Sequence, residues 1–321
     1  RYSFLFFTCK YEIIIMKVLI VASGNRSKIS SFILEQVNSL KALNIKVDYF
    51  LIKGKGFFGY VKNYFLLLRK IKTNNYELIH AHYGLSGLLA SLQLKLPVVI
   101  TFHGSDVNLK KNYLFSRLAA SLSTNNIFVH PSIYRKLKSH NKKSHIIPCG
   151  IDLDIFQPMA KLDARKILGF KKNEKLILFS SSFQNPIKNP ILAKEAISKI
   201  ENCSLLELKD YNRKEVKLLM NAVDLLLVTS YSETGPLVVK EALACNCPVV
   251  STDVGDVKRI TNGISNCFII DKNVANIIEK VNVILSSKKR SNGRDRVKSF
   301  ELKIVAKIIY DIYLKAIVNT K

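Results

Sequence analysis

The sequence predicts an α/β fold of two Rossmann-like domains, each a parallel sheet flanked by helices, facing one another across a cleft. Three observations carry that prediction. Short apolar runs alternate with helical segments along the chain, the pattern of right-handed βαβ units whose strands are buried on both faces. The alternation is broken once, over residues 149–158. A length of 321 residues with 48% hydrophobic content suffices for two filled cores and argues against disorder.

The first half reads as follows. Tyr2-Ser-Phe-Leu-Phe-Phe-Thr8 is apolar, but Lys10 and Glu12 interrupt it. It falls short of the ~20 apolar residues that span a bilayer, and no signal-peptide cleavage pattern follows. Residues 1–15 read as an upstream extension, with a membrane-dipping tail as the other reading, and Met16 as a natural start. Lys17-Val-Leu-Ile-Val-Ala22 is a first strand. Gly24 follows it, where the lack of a Cβ lets backbone approach a ligand closely. The Gly-x-Gly-x-x-Gly fingerprint of dinucleotide binding is absent. A helix over 29–43 and a strand over 46–52 come next.

Between 54 and 73, Phe57, Phe58, Val61, Tyr64, Phe65, Leu68 and Ile71 recur at helical spacing, while Lys55, Lys62 and Arg69 fall seven apart. A basic, aromatic amphipathic helix can lie on an anionic membrane surface. It can also pack its aromatic face on the sheet, and the two readings can coexist. Leu78-Ile-His-Ala-His82 is a strand. We read His80 and His82 as pointing to opposite faces, so that they do not chelate, with His82 at the carboxyl end facing the cleft. Pro97-Val-Val-Ile-Thr-Phe102 is another buried strand, and it ends in His103-Gly-Ser-Asp106. A neutral imidazole there can exchange hydrogen bonds with a ligand hydroxyl; Asp106 stands where it can cap the next helix. Short strands at 127–130 and 145–148 flank a basic stretch from Arg135 to Lys143, read as a solvated face.

The second half repeats the alternation. Lys175-Leu-Ile-Leu-Phe-Ser180 is a strand, and the loop after it holds Lys188. A helix near 214–222 precedes the buried strand Asp224-Leu-Leu-Leu-Val-Thr229. A loop holding Glu233 follows. Gly235 and Pro236 then open a helix over 237–244 that carries Glu241, with Pro in the first turn, where its missing N–H costs little. One carboxylate thus lies in the loop at the carboxyl end of a strand, and the other lies about two turns away on the adjoining helix. Free N–H groups at that helix start can bind hydroxyls or anions, in the crevice where open α/β sheets hold ligands. Strands over 249–252 and 267–271 and a long apolar helix over 300–318 complete the pattern. The six cysteines show no disulfide spacing, and Cys245-Asn-Cys247 lacks partners for a metal site, so they read as buried thiols in a reducing compartment.

Seven residues separate Glu233 from Glu241. With Gly235-Pro236, Ala242-Leu-Ala244, Pro248-Val-Val250 and Val254-Gly-Asp-Val257 around them, they resemble the Glu-x7-Glu signature of glycosyltransferase family 4. These are retaining enzymes of the GT-B fold that build bacterial polysaccharides and lipopolysaccharides. The likeness spans about 17–315. It includes the His103-Gly-Ser-Asp106 loop and Cys149-Gly-Ile-Asp152, which is similar to the family's Asn-Gly-Ile-Asp linker with Cys in place of Asn.

The resemblance implies an acceptor domain over 16–150, a nucleotide-sugar domain over 151–300, and a final helix, 301–321, crossing back to the first domain. It implies that Glu233 faces the donor sugar. Glu241 would bind the ribose, whose vicinal diol suits the two acceptor oxygens of a carboxylate. Thr234, Gly235, Pro236 and Leu237 would hold sugar hydroxyls at the helix start. Lys188 would contact the diphosphate and His103 the sugar near the anomeric centre. Gly24, His82 and Asp106 are cleft or acceptor candidates. The family's arginine ahead of that lysine is missing: Ser182 or Phe183 stands there, so the bidentate clamp is lost. Asp152-Leu-Asp154 mimics a metal-binding triplet, but it lies in the interdomain linker, and no metal or other cofactor is required.

The implied function is transfer of a sugar from a nucleotide-diphosphate sugar to a glycan or lipid-linked acceptor in cell-surface polysaccharide synthesis. The implied location is the cytoplasm, at the inner face of the plasma membrane. A net charge of +26 favours anionic partners and is spread along the chain. Two alternatives stay open: another GT-B activity, such as an epimerase or phosphorylase, and a non-catalytic binder of anionic surfaces or nucleic acid. No nucleic-acid recognition motif is present, so nucleic acid is not an expected partner.

Overall fold

The computed structural model describes residues 16–25, 29–54, 56–137 and 143–318, with the Phe57 side chain outside that description. The 1–15 stretch, Lys55 of the basic stripe and Lys142 of the basic stretch lie outside the described residues.

Two parallel sheets organise the chain. The first contains β1 (Lys17–Ser23), β2 (Lys46–Ile52), β3 (Leu78–His82), β4 (Val98–Phe102), β5 (Asn125–Phe128) and β6 (Ser144–Ile146), in the order β2-β1-β3-β4-β5-β6. Its helices are α1 (Ser31–Lys41), α2 (Gly56–Lys72), α3 (Gly84–Ser91), α4 (Ser105–Asn108), α5 (Lys110–Leu122) and α6 (Pro131–Leu137). The second sheet contains β7 (Lys175–Phe179), β8 (Cys203–Glu207), β9 (Leu225–Val228), β10 (Val249–Thr252) and β11 (Cys267–Ile270), in the order β11-β10-β9-β7-β8. Its helices are α7 (Lys161–Leu168), α8 (Pro190–Ser198), α9 (Arg213–Ala222), α10 (Leu237–Ala244), α11 (Val257–Thr261), α12 (Val274–Ser287) and α13 (Arg294–Val297). A last helix, α14 (Leu302–Val318), follows.

The apolar runs become strands buried on both faces. Val18, Ile20 and Ala22 of β1 face α1 and α14, while Leu19 and Val21 face the core that Leu67, Leu89, Ala119 and Ile133 share from α2, α3, α5 and α6. In the second sheet Leu176 and Leu226 face α9 and α10, and Ile177 and Leu225 face α8 and α12. β8 has no counterpart in the sequence reading. It is a half-buried edge strand with little apolar contrast. Cys245 and Cys247 are packed in the core of the second sheet as small apolar groups.

The two sheets are joined twice. The chain passes down through Cys149-Gly-Ile151 and returns through Phe300-Glu-Leu302. The two passes hydrogen-bond as a short parallel bridge, Ile151 N to Phe300 O at 2.8 Å and Leu302 N to Ile151 O at 2.9 Å. The Asp152-Leu-Asp154 triplet serves this joint. Asp152 Oδ1 accepts from the amides of Asp154 and Ile155, and Asp154 pairs with Lys303 of α14. Beyond the joint, Val305, Ile309, Ile312, Tyr313 and Ala316 of α14 lie in the core against the first sheet. The tail that follows the second sheet thus packs into the first.

In each sheet the strand order reverses once, between β1 and β3 and between β7 and β9. Ligands bind open parallel sheets in the crevice at the carboxyl ends of the strands at such a point. The loops leaving these strands meet across the interdomain cleft.

Candidate active site

The cleft has a volume of about 510 Å³. From the first sheet it is lined by Tyr83 after β3, His103 and Ser105 after β4, and Phe32 of α1; from the second, by Ser180 after β7, Lys188 and the run Ser232 to Val238 after β9. The linker residue Cys149 also lines it.

Glu233 is set by its own loop. Thr229 directly follows β9, and its hydroxyl donates to the carbonyls of Lys188 and Asn189 at 2.9 and 2.8 Å and ties the two loops together. Tyr231 N donates to Ile187 O at 2.9 Å, and Thr252 Oγ1 donates to Ser230 O at 2.8 Å. Against this fixed backbone, Glu233 Oε1 accepts from Ser230 Oγ at 2.8 Å and forms an ion pair with Lys188 Nζ. Both partners are mostly buried, with side-chain exposures of 19% for Lys188 and 12% for Glu233. The lysine sits on a 3₁₀ turn, Pro186–Lys188, capped by Asn185, and so has a defined origin despite its flexible stem.

Thr234, Gly235, Pro236 and Leu237 all line the cleft at the start of α10. Pro236 is the N-cap residue rather than the first helical one, and it has no N–H to give. The amides of Thr234, Gly235 and Leu237 are therefore the ones this loop can offer. Glu241, about one turn into α10, is 3% exposed and does not line the cleft surface; it pairs instead with Arg213 Nη2 at 2.7 Å.

His103 faces this loop from the first sheet. Its ring is tilted against Phe32 and Tyr83, and its Nε2 lies 3.0 Å from His82 Nδ1. Burial, with His82 alongside, holds its imidazole well below the ordinary histidine value. It is therefore neutral at physiological pH, able to donate a hydrogen bond through one nitrogen and accept through the other. The expectation that His80 and His82 diverge is overturned. Side chains alternate along a strand with a period of two, so i and i+2 share a face. Their rings stack at 4.5 Å, and both are fully enclosed. His80 bridges Tyr313 of α14 and Thr101, and His82 supports His103 without reaching the cleft itself. Burial lowers His82 to about 3, so this histidine column is uncharged. Among the described residues no group of three His, Cys, Asp or Glu side chains is arranged to hold a metal ion.

Asp106 is 4% exposed and turned inward. Its carboxylate accepts from the amides of His103 at 3.2 Å, Gly104 at 2.8 Å and Gly84 at 3.1 Å, which fixes the β3 and β4 loops relative to each other. Burial raises its pKa to about 6 against the pull of these amides. Gly24 is a close-packed turn rather than a lining residue. A Cβ there would fall 2.8 Å from Leu51 Cβ, and its amide donates to Ile52 O. Its neighbours Ser23 and Asn25 line a second cavity of about 310 Å³ that shares Tyr83 and Ser105 with the main cleft.

The sequence reading missed three residues here. Tyr83 lines both cavities with φ +72°, an uncommon conformation for a bulky residue. Arg213 and Glu35 carry a contact between the domains. The signal for Tyr83 was its place directly after His82 at a strand end. Nothing in the sequence joins residues 35 and 213.

Comparison with known proteins fits this geometry. Residues 21–155 match the model of Glycosyltransferase Family 4, and residues 206–299 match that of Glycosyl transferases group 1. TuaC of Bacillus subtilis (strain 168), which by name is a glycosyltransferase of teichuronic acid biosynthesis, is 31% identical over 219 residues. That match covers 57% of this chain and 55% of TuaC, so the chain spans little more than half the length of that relative. Among solved structures, sucrose-phosphate synthase from Thermosynechococcus elongatus superposes with a TM-score of 0.80 at 16% identity, over 95% of this chain and 100% of that one. Anabaena HepE in complex with UDP-glucose gives 0.74 at 16% identity, over 94% and 100%. The fold is thus that of the GT-B glycosyltransferases, two parallel-sheet domains around a cleft. The chain belongs to glycosyltransferase family 4.

Proposed function

We propose that this chain is a retaining glycosyltransferase that moves a sugar from a nucleotide-diphosphate sugar to a glycan or lipid-linked acceptor in cell-surface polysaccharide synthesis. The observation that carries the reading is the Lys188–Glu233 pair beside the start of α10, with His103 facing it across the cleft. HepE is a fold neighbour solved with UDP-glucose, which supports a nucleotide-sugar as donor.

In this reading Lys188 and the helix-start amides face the diphosphate, where negative charge grows as the glycosidic bond breaks. That positive charge is already in the protein, so the chemistry requires no metal. Glu233 orients the donor sugar and His103 hydrogen-bonds to it near the anomeric centre. Among the described residues no side chain serves as a dedicated base in this reading; a donor phosphate oxygen takes the acceptor's proton on the same face of the sugar. Slow hydrolysis of the donor by water tests the stereochemistry without a known acceptor. Proton NMR during the first turnovers is expected to show the free sugar with the donor's anomeric configuration. First appearance of the opposite anomer would overturn the retaining assignment.

In this reading the first domain meets the membrane surface that carries the acceptor. α2 and α5 flank α3 on one face of the first sheet and bury Leu67, Ile71, Ala119 and Ala120 against it. Their outer sides expose Val61, Phe65 and Leu66 on α2, and Leu114, Phe115, Leu118 and Leu122 on α5. Neither helix contains an acidic residue, and Lys62, Arg69, Lys110, Lys111 and Arg117 are exposed among the apolar groups. No helix among the described residues is long and apolar enough to cross a membrane. An apolar stripe ringed by cations matches an anionic bilayer surface. The aromatic positions Tyr60 and Tyr64 pack inward while Phe65 points out, so sheet packing and surface binding coexist on α2. Flotation with phosphatidylglycerol vesicles should fall at least tenfold in Lys62→Glu/Arg69→Glu and again in Leu114→Ser/Leu118→Ser. Unchanged flotation in both would contradict the membrane placement.

A further inference from the structure

Arg213, Glu241 and Glu35 form a charged cluster at the boundary between the domains. Arg213 opens α9, whose start is held by a capping box: Asn212 accepts from the amides of Lys214 and Glu215, and Glu215 accepts from Asn212 N. Its guanidinium stacks over the buried ring of Phe156 at 4.6 Å, which sets the plane of the fork. Nη2 then reaches Glu241 Oε1 at 2.7 Å. The Nε and Nη2 edge takes the carboxylate of Glu35, with Nη2 to Oε2 at 3.2 Å and an ion pair from Nε to Oε1. Glu35 belongs to α1, on the first domain.

Two carboxylates share one guanidinium in a largely buried place, with side-chain exposures of 12% for Glu35, 4% for Glu241 and 22% for Arg213. Burying the second carboxylate adds a desolvation cost that a single ion pair does not carry. Glu241 gives only Oε1 to the arginine. Its Oε2 is the oxygen that would meet a ligand hydroxyl.

We propose that Glu35 is a positioning residue for the nucleotide: it fixes the Arg213 fork, which fixes the carboxylate of Glu241 for the ribose. This rests on the reading of Glu241 as the ribose ligand. The first domain thereby acts on a site in the second. When the domains part, Arg213 loses the partner on α1 and Glu241 loses its fixed orientation, so the ribose grip is strongest in the closed molecule.

Calorimetric titration with UDP, ADP and GDP identifies the base that binds, and the same nucleotide lacking its 2′ and 3′ hydroxyls isolates the ribose contribution. The native chain is expected to prefer the hydroxylated form by about tenfold or more, the size of hydrogen bonds to a charged group. Glu241→Gln should abolish that preference. Glu35→Gln should cut it to about threefold or less while leaving the affinity for the dideoxy form within twofold, and Glu35→Asp, which keeps the charge, should recover part of it. A native chain without the preference, or without nucleotide binding, overturns the ribose reading and this inference with it. Loss of the preference in Glu241→Gln but full retention in Glu35→Gln and Glu35→Asp overturns the inference alone.

Discussion

Lys188→Ala is expected to lower the turnover of the donor by about 10²–10³-fold, the effect of removing one donor aimed at charge that develops in a transition state. The loss should appear in kcat, because the lysine acts on the leaving diphosphate most strongly once the bond has begun to break. It also removes the counter-ion of Glu233, which would remain mostly buried with Ser230 as its remaining partner. Breaking a buried pair costs up to about 3–5 kcal/mol, and less where, as here, part of each side chain meets the cleft. Lys188→Met/Glu233→Gln should therefore melt higher than Lys188→Ala but stay inactive. If the double variant regained turnover, or Lys188→Ala kept it, the pair would be a structural tie and not the diphosphate site. The weight on this lysine is large because, by the family resemblance, Ser182 or Phe183 stands in place of an arginine.

Gly104→Ala should be nearly as damaging, although no charged group changes. Gly104 adopts φ +110°, and a Cβ there would lie 2.1 Å from Thr234 Oγ1 and 3.0 Å from Thr234 Cβ. Gly104 follows His103 in the first domain and Thr234 follows Glu233 in the second. This is a close approach of the two halves beside the reacting groups. An added methyl brings about 1–3 kcal/mol of local strain and forces the two loops apart by an ångström or more. Misplacement on that scale costs about 10²-fold in rate when catalysis depends on position. Gly104→Ala/Thr234→Ala removes the nearest clash and should recover part of kcat while the backbone strain persists. Equal activity in Gly104→Ala and the native chain would show that turnover does not need this approach.

What the sequence made legible follows from how local each signal is. The stretch from β9 to Glu241 holds strand, loop, helix and both carboxylates within a short length of chain, so local signals set where they lie. Buried parallel strands announce themselves as apolar runs, and β1, β9 and β10 lie where their Val, Leu and Ile runs put them. β8 escaped because an edge strand in a half-buried place needs no such run. The membrane-facing reading stopped at α2. On α5 the exposed Leu114, Leu118 and Leu122 look like an ordinary core stripe until the packing shows that Ser116, Ala119 and Ala120 face inward instead. The two histidines of β3 were assigned by the wrong periodicity, and stacking with His103 follows once both lie on one face. Asp106 was readable as a cap, but its choice of the His103, Gly104 and Gly84 amides depends on a neighbouring loop. The Glu35–Arg213 contact joins residues 178 positions apart and exists only when the two domains have met.

If the cleft is a nucleotide-sugar site, the native chain binds a donor there. Thermal unfolding of the native chain and of Glu241→Ala should be followed with UDP-, GDP- and ADP-sugars at concentrations well above a micromolar Kd, where linkage raises stability by about 2–4 kcal/mol and Tm by several degrees. A rise with the sugars of one nucleotide is expected in the native chain, and its loss in Glu241→Ala. A folded native chain that shifts with none of them would contradict the assignment of this cleft as a nucleotide-sugar site.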